Sequence, residues 1–600
     1  MNMIILPYKA LLYLEVHIMG FLKTRWTDSI DRNNPLPEYP RPQMERENWM
    51  SMNGVYDYAI VDKSVEWVEK FDGEIVVPFA VECMLSGVEK PLKPDQKLWY
   101  KKTFTIPENM NGKNIILNFA AVDWECNVYV NKELAGSHRG GYATFSVDIT
   151  RLLKDGENEL VVSVYDPTEN GWQQRGKQVN DTHGFWYVAT SGIWQSVWLE
   201  AVNPCHIFKI KMTPDIDNKT LAFKTFANDD NCQVKVTVYD GESVVSENTI
   251  SMDDVIKFDD VKLWSPENPF LYDLKVELIK DGEVVDTVKS YIGMRKFSMG
   301  KDEKGYPRFL LNNKPYFQKG LLDQGYWSDG GMTPPTDEAM IYDIATMKRL
   351  GFNMLRKHIK VELDRWYYHC DRLGMLVWQD MVSGGEYIGQ FLAGVLPLVA
   401  IHVKDDKYKA FKRGEQLWRD EFERELNEML NQLYNHTCIS CWVPFNEGWG
   451  QFDSVRISNE IKQFDPSRVV DHASGWHDQG AGDFNSMHRY IAPINPRRND
   501  GRMFAITEYG GYSHIDRGHT WDESKSFGYM MFRSKESLSK AYKFLHDTQV
   551  IPLVKRGLCA TVYTQVSDVE NEVNGILTYD REHIKINEDV IIEINKKLTL

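Results

Sequence analysis

The chain is poor in the features that would place it outside ordinary globular proteins. Eight cysteines in 600 residues are too few for a disulfide scaffold. Cys438 and Cys441 form a Cys-x-x-Cys with no second pair, inside the apolar run Cys438-Ile439-Ser440-Cys441-Trp442-Val443, and read as buried strand thiols. Reduced cysteines imply a cytoplasmic protein. No stretch reaches the length of uncharged apolar residues that a membrane helix needs. The opening MNMIILPYKALLYLEVHIMG is broken by Pro7, Lys9, Glu15 and His17 and lacks a signal-peptide cleavage site; Met19 is a candidate native start. Basic residues are in deficit, 70 against 86 acidic, for a net charge of −16. This argues against a polyanion-binding surface, and nucleic acid is not an expected partner. The phosphate-cradling Gly-x-x-x-x-Gly-Lys loop, the Gly-x-Ser-x-Gly elbow and a dinucleotide fingerprint are all missing, as are internal repeats and low-complexity segments.

What the chain does have is length and aromatics. Six hundred residues exceed what one core usually serves, so several domains are expected. Aromatics make up 12%, with 18 Trp, which suits both sandwich cores and sugar faces. After an N-terminal extension (1–24), residues 25–203 read as a β-sandwich. Leu98–Ile106, Asn114–Phe119, Cys126–Val130 and Leu160–Tyr165 are β-rich runs, with turns at Asn111-Gly112 and Asp155-Gly156. Residues 204–297 alternate apolar and polar positions in Gln233–Tyr239 and Leu271–Ile279, as strands half buried on a core must. The turns at Asp240-Gly241 and Asp281-Gly282 suit an immunoglobulin-like sandwich.

From 298 to 600 apolar strands alternate with amphipathic helices, which predicts parallel β/α construction. Candidate strands are Tyr316–Gly320, Asn353–His358, Leu376–Asp380, Ile439–Glu447, Val469–Ser474, Ser486–Tyr490, Phe504–Glu508 and Ala560–Gln565. Candidate helices are Thr336–Leu350, Glu362–Leu373, Glu415–Tyr434 and Ser454–Phe464. Eight strands with interleaved helices fit a (β/α)8 TIM barrel, whose active sites lie at the C-terminal strand ends. Those ends carry Arg356, His358, Asp380, Asn446, Glu447, Asp471, His488, Tyr490, Glu508, Gln565 and Asp568.

A carboxylate ending an apolar strand is costly to place for stability alone. Glu447 and Glu508 end strands four and seven, on facing sides of the mouth. Two converging carboxylates are what glycoside hydrolysis needs: one protonates the leaving oxygen and the other attacks the anomeric carbon. Burial of either Glu against Arg356 as an ion pair is the competing explanation. The cluster Asp471, His472, His477, Asp478, Asp483 and His488 is rich in metal-ligating types but has no recognisable ligand spacing, so no metal site is assigned.

The chain resembles glycoside hydrolase family 2, the β-galactosidase, β-glucuronidase and β-mannosidase group. The resemblance runs from about residue 40 to 585 and rests on Asn446-Glu447, Thr507-Glu508-Tyr509-Gly510 and Leu263-Trp264-Ser265-Pro266-Glu267-Asn268-Pro269. Asn353-Met354-Leu355-Arg356 and Tyr291-Ile292-Gly293-Met294-Arg295 add to it. It implies an N-terminal sugar-binding jelly roll, an immunoglobulin-like sandwich and a catalytic barrel. It implies Glu447 as general acid/base, Glu508 as nucleophile, Asn446 on the sugar 2-hydroxyl, Tyr490 orienting Glu508, and Arg356 beneath it. His183-Gly184-Phe185-Trp186 resembles a loop that approaches the barrel mouth in this family. Some relatives use Mg²⁺ or Na⁺ beside the acid; no cofactor is expected to be required.

Departures from the pattern bear on specificity. Thr564 stands where relatives commonly have Trp, leaving Trp476 or Trp378 to stack on the sugar. The Asn-x-Lys that holds a uronate carboxylate after strand eight is absent, which disfavours a uronic acid. His358 matches the second-strand pattern but its following Pro does not. The expectation is therefore a retaining exo-β-glycosidase for a terminal neutral β-sugar, galactose first. Substrate contacts are expected from Arg356, His358, Asp380, Asn446, Trp476, His488, Tyr490, Gln565 and Asp568. A mannoside, glucuronide or arabinoside substrate, or a catalytically silent carbohydrate-binding protein, are the alternatives. An amylase-like α-glycosidase barrel fits less well, because its strand-four nucleophile is usually Asp. A homo-oligomer is compatible with the sequence.

Overall fold

The computed structural model describes residues 22–389, 392, 396, 401–496 and 499–600; nearly all of the N-terminal extension lies outside them. The N-terminal sandwich packs a six-stranded sheet against a four-stranded one. The first has the order Gly73–Val77, Gly54–Asp62, Gln96–Thr105, Glu157–Tyr165, Glu125–Val130, Glu133–Arg139. The second runs Trp49–Ser51, Val197–Val202, Asn114–Phe119, Phe145–Asp148. Alternate residues of each strand turn inward, so Leu98, Tyr100, Val128 and Val162 meet Leu117, Phe119, Val197 and Leu199 in one core.

The middle domain pairs a three-stranded sheet with a four-stranded sheet around Ile210, Met212, Leu221, Phe223, Val234, Val236, Val276 and Leu278. The hairpin Tyr272–Lys280/Glu283–Ile292 turns through Asp281 and Gly282, both in the left-handed region (φ +52° and +84°). That geometry suits Asp-Gly, because Gly carries no Cβ and Asp tolerates the conformation.

In the third domain eight parallel strands form a nearly closed barrel. They are β1 (Gln318–Asp323), β2 (Met354–Lys357), β3 (Leu376–Asp380), β4 (Ile439–Val443), β5 (Val469–Val470), β6 (Phe484–Arg489), β7 (Met503–Gly510) and β8 (Leu558–Thr564). Their order is β5-β4-β3-β2-β1-β8-β7-β6, with no backbone ladder between β5 and β6. Side chains bridge that seam: Ser486 Oγ donates to Asp471 Oδ1 (2.8 Å), and Ser474 Oγ lies 3.3 Å from His488 Nε2. Between strands run helices α1 (Asp337–Arg349), α2 (Asp364–Leu373), α3 (Gln416–Leu433), α4 (Ser454–Phe464) and α5 (Lys535–Leu545), and α6 (Glu588–Lys597) follows β8. Thr336 caps α1 by accepting from the Ala339 amide (3.2 Å), and left-handed Gly374 stops α2.

Only β3 keeps both expected ends; β5 stops at Val470 rather than Ser474, and two other shifts involve a proline. Lys314–Pro315 folds back onto Leu310 and Leu311, so β1 starts at Gln318 rather than Tyr316. Pro444 follows β4 and has no N–H to donate, so Asn446 and Glu447 sit beyond the strand. Helices α5 and α6 were not among the expected ones. Cys438, just before β4, and Cys441, in its middle, are both buried, and no helix among the described residues is long and apolar enough to cross a membrane.

The other two domains are fastened to the barrel. Trp264, in the Leu263–Pro269 linker, is fully buried and donates Nε1–H to the Asp371 carbonyl of α2 (2.7 Å). Arg139 of the N-terminal sandwich forms a two-pronged bond to Glu421 of α3 (2.9 and 2.7 Å). A second contact reaches the barrel mouth: the amides of Arg175 and Gly176 donate to the Ser383 carbonyl (3.1 and 3.0 Å). Trp186 meets Trp449 edge to face at 5.0 Å.

Candidate active site

Arg356 at the end of β2 organises the floor of the mouth. It is completely buried, so its charge must be met by anions and carbonyls at close range. Its guanidinium donates to Asp380 Oδ1 (2.9 Å), Glu508 Oε1 (3.2 Å), Asn446 Oδ1 (2.8 Å) and the Thr507 carbonyl (3.1 Å). One side chain thereby fixes residues from β3, β7 and the segment after β4. Asp380 also holds His358 Nδ1 (2.9 Å). Burial drives the His358 pKa well down, so the ring is neutral, with Nδ1–H on Asp380 and the Nε2 lone pair free to accept.

Glu508 lies within β7 with 5% of its side chain exposed. The Tyr490 hydroxyl donates to its second oxygen. Burial raises the Tyr490 pKa well above its ordinary value, so the hydroxyl stays a donor. For Glu508 itself burial pulls the pKa up. The neighbouring His488 imidazole, the Arg356 guanidinium and the Tyr490 hydrogen bond outweigh it, holding the carboxyl at about 2.

Glu447 is built differently. Its backbone is left-handed (φ +52°), followed by left-handed Gly448 (φ +73°), where an added Cβ would come within 2.5 Å of the His477 ring. The turn is held by Glu447 N–H on the Ser474 carbonyl (3.0 Å). A non-glycine residue in this region is strained and persists only where its surroundings over-determine it. About a quarter of the Glu447 side chain is exposed (26%), and Oε1 accepts from His488 Nδ1 at 2.7 Å. Burial of the carboxyl, then the charge of Glu508, raises its pKa, with His488 and Lys177 opposing.

Carboxylate oxygens of Glu447 and Glu508 and a nitrogen of His488 all lie within 4.8 Å of one another. Among the described residues this trio has the spacing of a cation site. Each member already has protein partners, however, which makes it an internally compensated set rather than an unmet one.

Eight of the residues singled out from the sequence therefore meet here: Arg356, His358, Asp380, Asn446, Glu447, His488, Tyr490 and Glu508. Trp476 stands at the edge, partly exposed, 6.2 Å from the His488 ring. Three others go elsewhere. Trp378 is buried within the barrel, its Nε1 on Gln318 (2.9 Å) and its ring on Phe484, so it offers no face to a ligand. Gln565 turns its Nε2 to Asn574 Oδ1 (2.7 Å). Asp568 is fully engaged by Lys585 (2.6 and 2.8 Å) and the Gly575 amide (2.7 Å). The last two lock the chain after β8. A polar residue at a strand end is turned into such a loop as readily as into the mouth, and local sequence does not tell which.

Two residues escaped the sequence reading. Tyr529 stacks flat on Tyr490 at 3.7 Å and 5°, bracing the ring that holds Glu508. Lys177 comes from the N-terminal sandwich. Its Arg175-Gly176-Lys177-Gln178 context was legible, but its approach to the mouth was not.

Three family models cover the chain in order. The glycosyl hydrolases family 2 sugar binding domain matches residues 46–203, the central family 2 domain 205–295, and the family 2 TIM barrel domain 304–492. The chain belongs to glycosyl hydrolase family 2. Among curated relatives it is 28% identical to a Formosa agariphila protein assigned as a β-glucuronidase, over 70% of this chain and 51% of that one. It is also 28% identical to a Thermoanaerobacter pseudethanolicus β-galactosidase, over 70% of this chain and 55% of that one. The chain thus spans about half the length of these relatives. A Dictyoglomus thermophilum β-D-glucuronidase structure shares the fold, with a TM-score of 0.72 over 93% of this chain and 98% of that one, at 17% identity.

Proposed function

We propose that this family 2 chain is a retaining exo-β-glycosidase. The observation that carries the reading is the pair Glu447 and Glu508: oxygens within 4.8 Å, with pKa values displaced in opposite directions. Retaining glycosidases hold their carboxyls about 5–5.5 Å apart, whereas inverting ones leave about 6.5–9.5 Å for a water. Glu508, ionised, attacks the anomeric carbon while Glu447 gives its proton to the departing oxygen. His488 Nδ1–H on Glu447 Oε1 leaves the proton on Oε2. The covalent glycosyl ester removes the Glu508 charge and with it the repulsion that raised Glu447. Glu447 then acts as base toward water, and the carboxylate is regenerated. Asn446, with Oδ1 tied to Arg356, keeps Nδ2 for the sugar 2-hydroxyl, and His358 Nε2 accepts from another hydroxyl. The N-terminal loop at the mouth supports removal of one terminal sugar rather than cleavage within a chain.

The relatives' names divide between β-galactosidase and β-glucuronidase, and a terminal β-galactoside is the first substrate to try. A panel of p-nitrophenyl β-galactoside, β-glucuronide, β-mannoside and β-glucoside and the α-arabinoside, followed by proton NMR, tests the reading. Hydrolysis with the β-anomer (or its equivalent in configuration) released first is expected; the inverted anomer first would overturn it.

A further inference from the structure

Lys177 is carried to the barrel mouth by a segment fixed on both sides. Before it, the amides of Arg175 and Gly176 bind the Ser383 carbonyl. Gly176 passes so close to the Ile359 carbonyl that an added Cβ would lie 3.1 Å away, which places the segment beside His358-Ile359. After it, Gln178–Val179 pairs with Tyr187–Val188, and the Lys177 carbonyl accepts from the Tyr187 amide (3.0 Å). The side chain is partly buried, and its ammonium stands 5.3 Å from the Tyr187 ring and 5.7 Å from the Phe185 ring. Ring faces attract a cation but satisfy none of its three N–H donors by hydrogen bonding to oxygen. Among the described residues Lys177 has no hydrogen-bond or ion-pair partner.

An unmatched ammonium here is at odds with the chemistry of the site. Its charge acts on His358 and on Glu447, and on Glu447 it works against the retention of the acid's proton. Arg356 already supplies the buried positive charge that Glu508 and Asp380 need. A cation that hinders the acid is compensated once an anion sits against it.

We infer that Lys177 is a specificity-determining residue that binds an anionic substituent, a carboxylate or a sulfate ester, on the sugar held beside Glu447 and Glu508. The inference rests on the glycosidase reading and departs from the neutral sugar expected from the sequence. That expectation followed from a missing carboxylate clamp after strand eight; Lys177 supplies a cation from another domain.

The test uses matched pairs of p-nitrophenyl glycosides: β-galactoside with β-galacturonide, β-glucoside with β-glucuronide, and β-galactoside with its 3-, 4- and 6-sulfates. Wild-type kcat/KM should favour one anionic member over its neutral partner, the uronide arm identifying a carboxylate and the sulfate arm an ester. Lys177→Met should lower kcat/KM for that substrate about 10- to 100-fold more than for the neutral partner, the scale of one hydrogen bond to a charged group. Lys177→Arg should retain the preference. A neutral substrate preferred by wild type, or Lys177→Met lowering both members alike, would overturn the inference. Binding of galactose, galactose 6-sulfate, galacturonate and glucuronate to the Glu508→Gln protein, with and without Lys177→Met, reads the same preference without turnover. If no glycoside is hydrolysed but an anion preference there depends on Lys177, the glycosidase reading falls and the lysine assignment stands. If binding shows no such preference, the lysine assignment falls.

Discussion

Glu447 and Glu508 are the same residue type at the same barrel mouth, yet the protein builds them in opposite ways. Glu508 lies inside β7, where the strand's register slips against both neighbours, almost wholly covered, between a guanidinium and a tyrosine hydroxyl. Glu447 lies past the end of β4 on left-handed backbone, partly open, with a single imidazole bond. The first environment fixes a charge and the position of the atom that bears it. The second makes a charge unwelcome and leaves an oxygen reachable from outside. Two identical side chains acquire different protonation because burial raises both, and only one has enough positive charge and hydrogen bonding to overcome it.

The comparison breaks most severely at Glu508. Glu508→Gln should lower kcat by at least about 10⁴-fold, as loss of a nucleophile does, with the fold intact by circular dichroism. Turnover near the wild-type rate would remove Glu508 from the nucleophile role. Glu447→Ala should cost about 10²- to 10⁴-fold on substrates with poor leaving groups and less on aryl glycosides with good ones. Added azide should restore part of the latter rate, since it needs no base to attack the glycosyl ester; failure of azide would count against the acid/base role.

A third carboxylate sharpens the contrast. Asp568 also follows a barrel strand, but its charge is spent on buried Lys585. Asp568→Asn should destabilise the fold by about 3–5 kcal/mol, the cost of stranding one partner of a buried pair, seen as a lower Tm. At temperatures where the variant is folded its kcat/KM should stay near wild type. A large loss of kcat/KM in folded protein would place Asp568 in the site after all.

Tyr490→Phe removes one hydrogen bond to the Glu508 carboxylate and should lower kcat/KM about 10- to 100-fold. The smallest effect lies in pH. The proposed double displacement needs Glu508 ionised and Glu447 protonated. Glu508 titrates at about 2, so its acid limb lies below the usual assay range. The alkaline limb of kcat/KM belongs to Glu447: activity is full below its raised pKa and is lost as pH rises through it. In Glu447→Gln, assayed on an aryl glycoside with a good leaving group, this limb should disappear. Its persistence would assign the limb to another group.

By itself the sequence determined the three-part architecture and singled out the two glutamates that the barrel mouth brings together. Period-two alternation marks half-buried strands, continuous apolar runs mark barrel strands, and a glutamate ending such a run has few structural reasons to be there. These signals are local, carried by a few neighbouring residues. Tertiary structure alone decided which strand-end groups face the mouth. Gln565 and Asp568 turn into the loop after β8 because Asn574 and Lys585 fold back to meet them, and Trp378 points into the barrel because the pleat directs it there. It also decided that Lys177, from a separate domain and far away in the chain, comes to the barrel mouth. Where a strand ends is written in local chemistry; what meets there depends on how distant segments pack, and no local pattern encodes that.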